Sequence, residues 1–246
     1  MDKRLAAIID LAQHAGDAIM AIYQAEDFAT AAAVQQKPDH SPLSRADSAA
    51  QQIISAGLSA LTLQLPQLSE EATPPACSER QHWTRYWLID PLDGTKEFLQ
   101  RNGEFTVNIA LVEHGAPRLG VVYAPALGQL FSADVTAKKA YCNGQRIHTQ
   151  PPQNPPRVLV SRSHASAADI SQQQQLIAVG SSLKFCLIAS GAADLYQRLS
   201  PTHEWDTAAG HAIVAAAGGS VTELTGQPLR YNQKPTLINP HFIARA

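Results

Sequence analysis

Asp90-Pro91-Leu92-Asp93-Gly94-Thr95 follows directly on the apolar run Tyr86-Trp87-Leu88-Ile89. The run reads as a buried strand with Asp90 at its carboxyl end. Pro91 predicts a turn there, which lets Asp90 and Asp93 converge on one point. Two carboxylates so close repel each other unless a cation lies between them. Hard oxygen donors of this kind suit Mg2+, which prefers carboxylates together with a substrate phosphate. Gly94 permits a close backbone approach, and the amides near Gly94 and Thr95, at a predicted helix start, can face a phosphate. Taken alone, an Asp-Pro-x-Asp-Gly stretch reads first as a plain turn, since Asp, Pro and Gly are ordinary turn residues. Two distant acidic segments shift that balance: Ser69-Glu70-Glu71 upstream and Trp205-Asp206-Thr207-Ala208-Ala209-Gly210 downstream.

The remaining chain bounds the answer. Its 246 residues suffice for one large domain or two packed lobes. At 45% hydrophobic and 16% charged residues it has the composition of a globular protein. With 19 Lys and Arg against 21 Asp and Glu, the net charge of −2 gives no general attraction for nucleic acid. An anionic substrate must therefore be held by a local site. Cys77, Cys142 and Cys186 have no metal-type spacing, and their odd number argues for a reducing, cytoplasmic setting. Leu5, Ile8, Ile9, Ile19 and Ile22 recur at helical spacing, interrupted by Asp10, Gln13, His14 and Asp17. That predicts an amphipathic helix, neither a leader nor a membrane span, with peripheral attachment to the inner membrane left open.

The pattern predicts helices near 4–25 and 45–62, then strands at 104–112 and 119–123 joined by His114-Gly115-Ala116-Pro117 as an antiparallel pair. Gln150-Pro151-Pro152-Gln153-Asn154-Pro155-Pro156 marks a seam between a lobe at 1–150 and a lobe at 151–246. Beyond it the expectation is a strand at 158–160 and helices at 166–178, 183–191 and 207–217, the last closed by Gly218-Gly219.

Two long segments carry a family resemblance. Trp87-Leu88-Ile89-Asp90-Pro91-Leu92-Asp93-Gly94-Thr95-Lys96-Glu97-Phe98 and Trp205-Asp206-Thr207-Ala208-Ala209-Gly210-His211-Ala212 resemble the two signatures of the inositol monophosphatase superfamily. Glu104–Leu111, Gly120–Pro125 and Gly180–Leu187 are similar to its bacterial 3'(2'),5'-bisphosphate nucleotidases, along nearly the whole chain. The resemblance implies an α/β fold, a layered αβαβα sandwich with the site between lobes. It implies one Mg2+ held by Glu70, Asp90 and the Leu92 carbonyl, and a second held by Asp90, Asp93 and Asp206. Some members bind a third, weaker ion that would share Glu70. Thr95 and Asp47 match the pair that activates water, with no phosphoenzyme. From the residues alone, Asp47 is also an acid on a first helical turn, and Asp206 also an N-cap.

The substrate contacts follow from the same resemblance. Glu70, Asp93, Gly94, Thr95 and Asp206, with the Leu92 backbone, would face the scissile phosphate. His164, in Ser161-Arg162-Ser163-His164, would contact the nucleotide, Ser181 would cap a helix aimed at it, and Lys184 and Arg198 would neutralise the phosphate that stays. Each has a plainer reading: a structural histidine, a solvated lysine, a surface arginine. His203 and Glu204 are expected at the mouth of the site. The implied reaction is hydrolysis of adenosine 3',5'-bisphosphate (PAP) to AMP and phosphate. The 3'-phosphosulfate analogue (PAPS) and the 2',5' isomer are further substrates, lithium an inhibitor, and a monomer or weak dimer the expected state. Two rivals share the residues: an inositol monophosphatase, and an inactive phosphonucleotide-binding protein. A haloacid-dehalogenase-type phosphatase would place its aspartates two apart, not three, and gives Glu70 no place.

Overall fold

The computed structural model describes residues 2–36, 42–61, 64–162 and 174–246. The first half opens with α1 (Lys3–Tyr23), α2 (Phe28–Ala32), a small hairpin of β1 (Gln35–Gln36) and β2 (Pro42–Leu43), and α3 (Arg45–Ser59). There follow β3 (Gln67–Ser69), α4 (Cys77–Arg80), β4 (Arg85–Asp93), α5 (Thr95–Leu99), β5 (Thr106–Glu113), β6 (Ala116–Ala124), β7 (Gln129–Asp134), β8 (Lys139–Cys142) and β9 (Gln145–Ile147). The second half holds β10 (Arg157–Ser161), β11 (Gln175–Val179), α6 (Leu183–Ala189), β12 (Leu195–Arg198), α7 (Ala208–Ala217), β13 (Ser220–Glu223) and β14 (Phe242–Arg245).

Strands β3 to β9 form one sheet in sequence order, with β3 parallel to β4 and the rest antiparallel. The second sheet runs β11-β10-β12-β14-β13. Alternation along β4 explains why its run Tyr86–Ile89 is apolar throughout. Trp87 and Ile89 enter one core with Leu5, Ile8 and Ile19 of α1 and Ile54 of α3. Tyr86 and Leu88 enter another with Phe185 of α6, Ile213 of α7, and Tyr196 and Phe242 of the second sheet. The layers are thus α1 with α3, the first sheet, α6 with α7, and the second sheet. The fifth layer of the expected sandwich rests on the predicted helix 166–178, of which 166–173 lie outside the described residues.

Small residues let the layers close. A Cβ on Gly120 of β6 would stand 2.6 Å from the carbonyl oxygen of Ala209, so α7 lies directly on the first sheet.

Three expectations need correction. Residues 175–179 are a strand, not the end of a helix. Leu176 to Val179 pair in parallel with Val158 to Ser161, and this ladder overrides the local helical pattern. Helix α3 stops at Ser59, short of 62. Helix α1 is, by length and composition, apolar enough to cross a membrane, because Ala and Ile fill the gaps between its few charges. In the fold its Leu5, Ile8, Ala12, Ala15 and Ile19 are buried in the first core.

Candidate metal centre and substrate cleft

The strand order brings the acids together. Ser69 pairs with Ile89, and the Glu70 amide donates to the Ile89 carbonyl at 3.2 Å. Glu70, one residue past the end of β3, therefore stands beside Asp90 on the adjacent parallel strand. Asp93 arrives by a route the sequence did not predict. The chain does not turn at Pro91; β4 continues to Asp93 through a bulge. Asp90 pairs with Asn108 and Asp93 with Thr106. Those partners are two apart on β5, so they share a face, and the bulge puts two acids spaced by three on that same face. Pro91 is tolerated there because a bulge needs no ladder donor. The Leu92 amide donates to Asp90 Oδ1 at 3.1 Å, and Leu92 lines the cleft between the two acids.

The third acid comes from the other half of the chain. Asp206 lies in the turn before α7 and accepts from the His203 amide at 2.9 Å. Thr207, not Asp206, holds the N-cap position. One oxygen from each of Glu70, Asp90 and Asp206 lies within 4.8 Å of the others. That is close to the span of oxygens across a single Mg2+, roughly 4 Å. Asp93 stands just outside this trio. Its Oδ2 accepts from Ser182 Oγ at 2.7 Å and Asn108 Nδ2 at 3.3 Å. Ser182 Oγ also lies 2.6 Å from the Asp206 carbonyl, so one hydroxyl ties the two aspartates together.

Burial and mutual repulsion raise the proton affinity of this group. Asp90 is pushed well above the usual carboxylate range by burial first, then by Glu70, Asp93 and Asp206. Asp206 is pushed up by burial, Asp93 and Glu70. For Asp93 burial raises the pKa, while Ser182, Lys184 and Asn108 oppose it. Such a cluster takes up either protons or a cation, and its all-oxygen donor set fits a hard divalent ion.

Thr95 and Asp47 also meet. Ser44 caps α3, with its hydroxyl accepting from the Ala46 amide. Asp47 reaches back as the partner in a capping box, its Oδ2 accepting from the Ser44 amide at 2.8 Å and hydroxyl at 2.6 Å. The other oxygen, Oδ1, lies 3.4 Å from Thr95 Oγ1, a long contact. Asp47 therefore closes a helix end and holds Thr95 at once. Gly94 makes the turn into α5 at φ 91°, a region that favours glycine.

A cleft of about 300 Å³ runs from these acids to the second sheet, where Ser181, Lys184 and Arg198 form part of its wall. The Lys184 ammonium donates to the Val179 carbonyl at 3.2 Å and lies 5.4 Å from the centre of the Tyr196 ring. Burial lowers its pKa to about 8, against the pull of Asp93. The Arg198 guanidinium donates to the carbonyls of Ser200 and Pro201. Ser181 does not cap α6; Ser182 holds that position, and the buried Ser181 hydroxyl has no partner among the described residues. His164 lies outside the described residues. Arg162 is held by both oxygens of Glu104, across the join between halves.

Two neighbours of Asp206 diverge. His203 stacks on Trp205 with ring centres 4.7 Å apart, and both line the cleft. Glu204 is not at the mouth. Its carboxylate is fully buried and turned away, accepting from the Asn232 amide and from Lys234. Asn108 and Ser182 went unnoticed in the sequence as site residues. The signal for Asn108 was present: a single amide inside the apolar run Thr106-Val107-Asn108-Ile109-Ala110-Leu111 must find a partner when buried.

The comparisons agree with this architecture. The model of the inositol monophosphatase family matches residues 1–245. The chain is 51% identical over 241 residues to the 3'(2'),5'-bisphosphate nucleotidase CysQ of Escherichia coli O157:H7, covering 96% of each. It is 50% identical over 244 residues to CysQ of Salmonella typhimurium, covering 97% of this chain and 98% of that one. The solved CysQ of Bacteroides thetaiotaomicron superposes with a TM-score of 0.88 at 38% identity, covering 100% and 98% of the two chains. The Thermotoga maritima IMPase gives 0.82 at 25% identity, covering 100% and 92%. With its paired acidic strand ends, its bulged Asp-Pro-Leu-Asp segment and this match along its length, the chain belongs to the inositol monophosphatase family.

Proposed function

We propose that this chain is a Mg2+-dependent 3'(2'),5'-bisphosphate nucleotidase that hydrolyses the 3'-phosphate of PAP to AMP and phosphate, and also accepts PAPS and the 2',5' isomer. The carrying observation is the convergence of Glu70, Asp90 and Asp206 at one end of a cleft that has Lys184 and Arg198 in its wall. About half of the residues are shared, end to end, with curated nucleotidases of that name.

In this reading Glu70, Asp90 and the Leu92 carbonyl hold one ion, and Asp90, Asp93 and Asp206 hold a second. Divalent ions held there would supply Lewis-acid charge, which would make water acidic and offset charge on the leaving oxygen. Asp47 accepts the Thr95 hydroxyl proton, which leaves the Thr95 oxygen free to take a hydrogen bond from the attacking water. Ser182 and Asn108 fix the orientation of Asp93. Gly94 brings the first amides of α5 to the phosphate. Lys184 and Arg198 stay charged against the phosphate that is not cleaved, and Ser181 offers its hydroxyl to it. Water attacks phosphorus directly, and no phosphoenzyme forms. A proton from water in the cleft returns to the leaving ribose oxygen.

Phosphate release from PAP and from inositol 1-phosphate, each with Mg2+ and with excess chelator, tests the proposal. Strong preference for PAP, lost in chelator, is the expected result. Preference for inositol 1-phosphate would keep the mechanism and overturn the substrate. No release from either would favour an inactive binding protein, against the presence of every acid and of Thr95.

A further inference from the structure

Glu70 and Asp206 come from segments with no shared secondary structure, yet the proposed centre needs their spacing held. The loop leaving Glu70 ends in α4, whose last residue, Arg80, is 2% exposed. Its guanidinium donates to the side-chain oxygen of Asn232 and to the carbonyls of Lys234 and Pro235. The Asn232 side chain donates in return to the Arg80 carbonyl at 2.6 Å. The Asn232 amide then donates to Glu204 Oε2 at 2.7 Å, while Lys234 Nζ meets Glu204 Oε1 at 2.6 Å. Glu204 is two residues from Asp206, and its carbonyl accepts from the Thr207 hydroxyl and the Ala208 amide. Asn239 closes the same turn by donating to the His203 carbonyl at 2.7 Å.

Arg80, Asn232 and Glu204 are all buried, and the bonds between Arg80 and Asn232 run in both directions. Arg80 and Glu204 never touch; Asn232 connects them with its side chain on one side and its backbone on the other. Asn232 sits at φ 55°, a left-handed conformation that asparagine tolerates and that aims both of its faces. Buried polar networks of this kind fix one geometry, because any lost partner leaves another group unsatisfied.

We infer that Arg80, Asn232 and Glu204 are positioning residues: a bridge behind the site that fixes the separation of Glu70 and Asp206 and so sets the affinity for the divalent ion. The inference rests on the reading of Glu70 and Asp206 as ligands on the two sides of one two-ion centre that shares Asp90. It assigns the loop after Glu70 a task in metal binding without direct contact with the metal.

The test is Mg2+ affinity, measured by titration calorimetry on the purified chain with Mg2+ alone, beside the Mg2+ dependence of phosphate release. Asn232→Gly keeps the left-handed backbone at no strain and removes both side-chain bonds. It should weaken Mg2+ binding about tenfold, the lower end for loss of an outer-shell partner. At saturating Mg2+ its kcat should stay near wild type. Asn232→Asp retains the acceptor for Arg80 and should recover most of the affinity. Leu229→Ala, a buried apolar truncation in the same C-terminal segment, should lower Tm and leave Mg2+ affinity unchanged. If Asn232→Gly lowers Tm but binds Mg2+ as wild type does, the bridge is structural only and the inference falls. Should Asn232→Gly not fold, Arg80→Lys, which keeps the charge but not the fork, decides by the same readout. Asp206→Asn separates the two levels. If it too leaves Mg2+ binding untouched, the metal reading itself fails; if it weakens binding and the bridge variants do not, only the bridge is wrong.

Discussion

The two walls of the cleft are built on opposite principles. On the first, Glu70, Asp90, Asp93 and Asp206 converge and crowd one another, while Ser182, Asn108 and backbone amides donate to the aspartates. Burial first, and then their mutual repulsion, raises the proton affinities of Asp90 and Asp206. On the second, Lys184 and Arg198 are buried and already give hydrogen bonds to backbone carbonyls. Apart from the unpartnered Ser181 hydroxyl, the polar groups named on that wall already have partners. In the proposed reading the difference separates the parts that make the chemistry from those that select the substrate: the strained wall would take metal and the scissile phosphate, and the other wall would adjust affinity.

The largest test strikes the strained wall. Asp90→Asn should cut phosphate release by more than about 100-fold, beyond the range for losing a mere outer-shell partner. Yet the metal-free variant should be at least as stable as wild type. The sign follows from linkage: Asp90 has a raised pKa in the folded state, so the folded chain binds more protons than the unfolded one and loses stability as pH rises above the ordinary carboxylate range. Asparagine removes that loss. Thermal melts in chelator across pH check it; a variant that melts far below wild type would mean the acids are held by something other than a waiting cation site.

Next comes the proton path. Thr95→Ala should lower kcat by about 10²- to 10⁴-fold with little change in Tm, and Thr95→Ser should keep most of the rate. Asp47→Asn should lose rate and also about 1 kcal/mol of stability, because Asp47 is the reciprocal member of the α3 capping box. Equal stability losses at both positions would dissolve the distinction between the two roles of Asp47.

The strained wall was the more legible in the sequence, for a physical reason. The Asp90–Asp93 spacing alone reads as a turn, but taken with the acidic segments at Glu70 and Asp206 it gathers more carboxylates than a turn needs, and their repulsion calls for a cation. What stayed hidden was how that spacing works. A bulge is a property of pairing with β5, and nothing within residues 90–93 distinguishes it from a turn. The strand at 175–179 was misread for a similar reason: its partner β10 decides it. The bridge was invisible altogether. Arg80 and Asn232 stand 152 positions apart, and neither segment alone carries a sign of the other. On the second wall the residues Ser181, Lys184 and Arg198 were found by resemblance, but their bonding depends on where the chain folds back. Ser181 in particular yields its expected capping place to Ser182.

The smallest expected effect sharpens the comparison most finely, because it gives the two thermodynamic signs of one lysine. Burial brings the Lys184 pKa down to about 8. A phosphate needs the ammonium form, so kcat/KM for PAP should fall as pH rises through about 8. Lys184→Arg should carry its affinity to higher pH, and Lys184→Met should raise the KM for PAP roughly 10- to 100-fold, the value of a hydrogen bond to a charged group, while leaving inositol 1-phosphate untouched. Stability should move the other way. The unfolded lysine titrates near its ordinary 10.5, so below about 8 both states are protonated and the burial cost is constant. Between those values the folded chain sheds its proton first, and stability contributed at this site rises with pH. Binding that weakens while the fold tightens over one pH window identifies a lysine kept charged for a ligand and against its surroundings. Binding and stability that rise or fall together would place Lys184 among the structural residues.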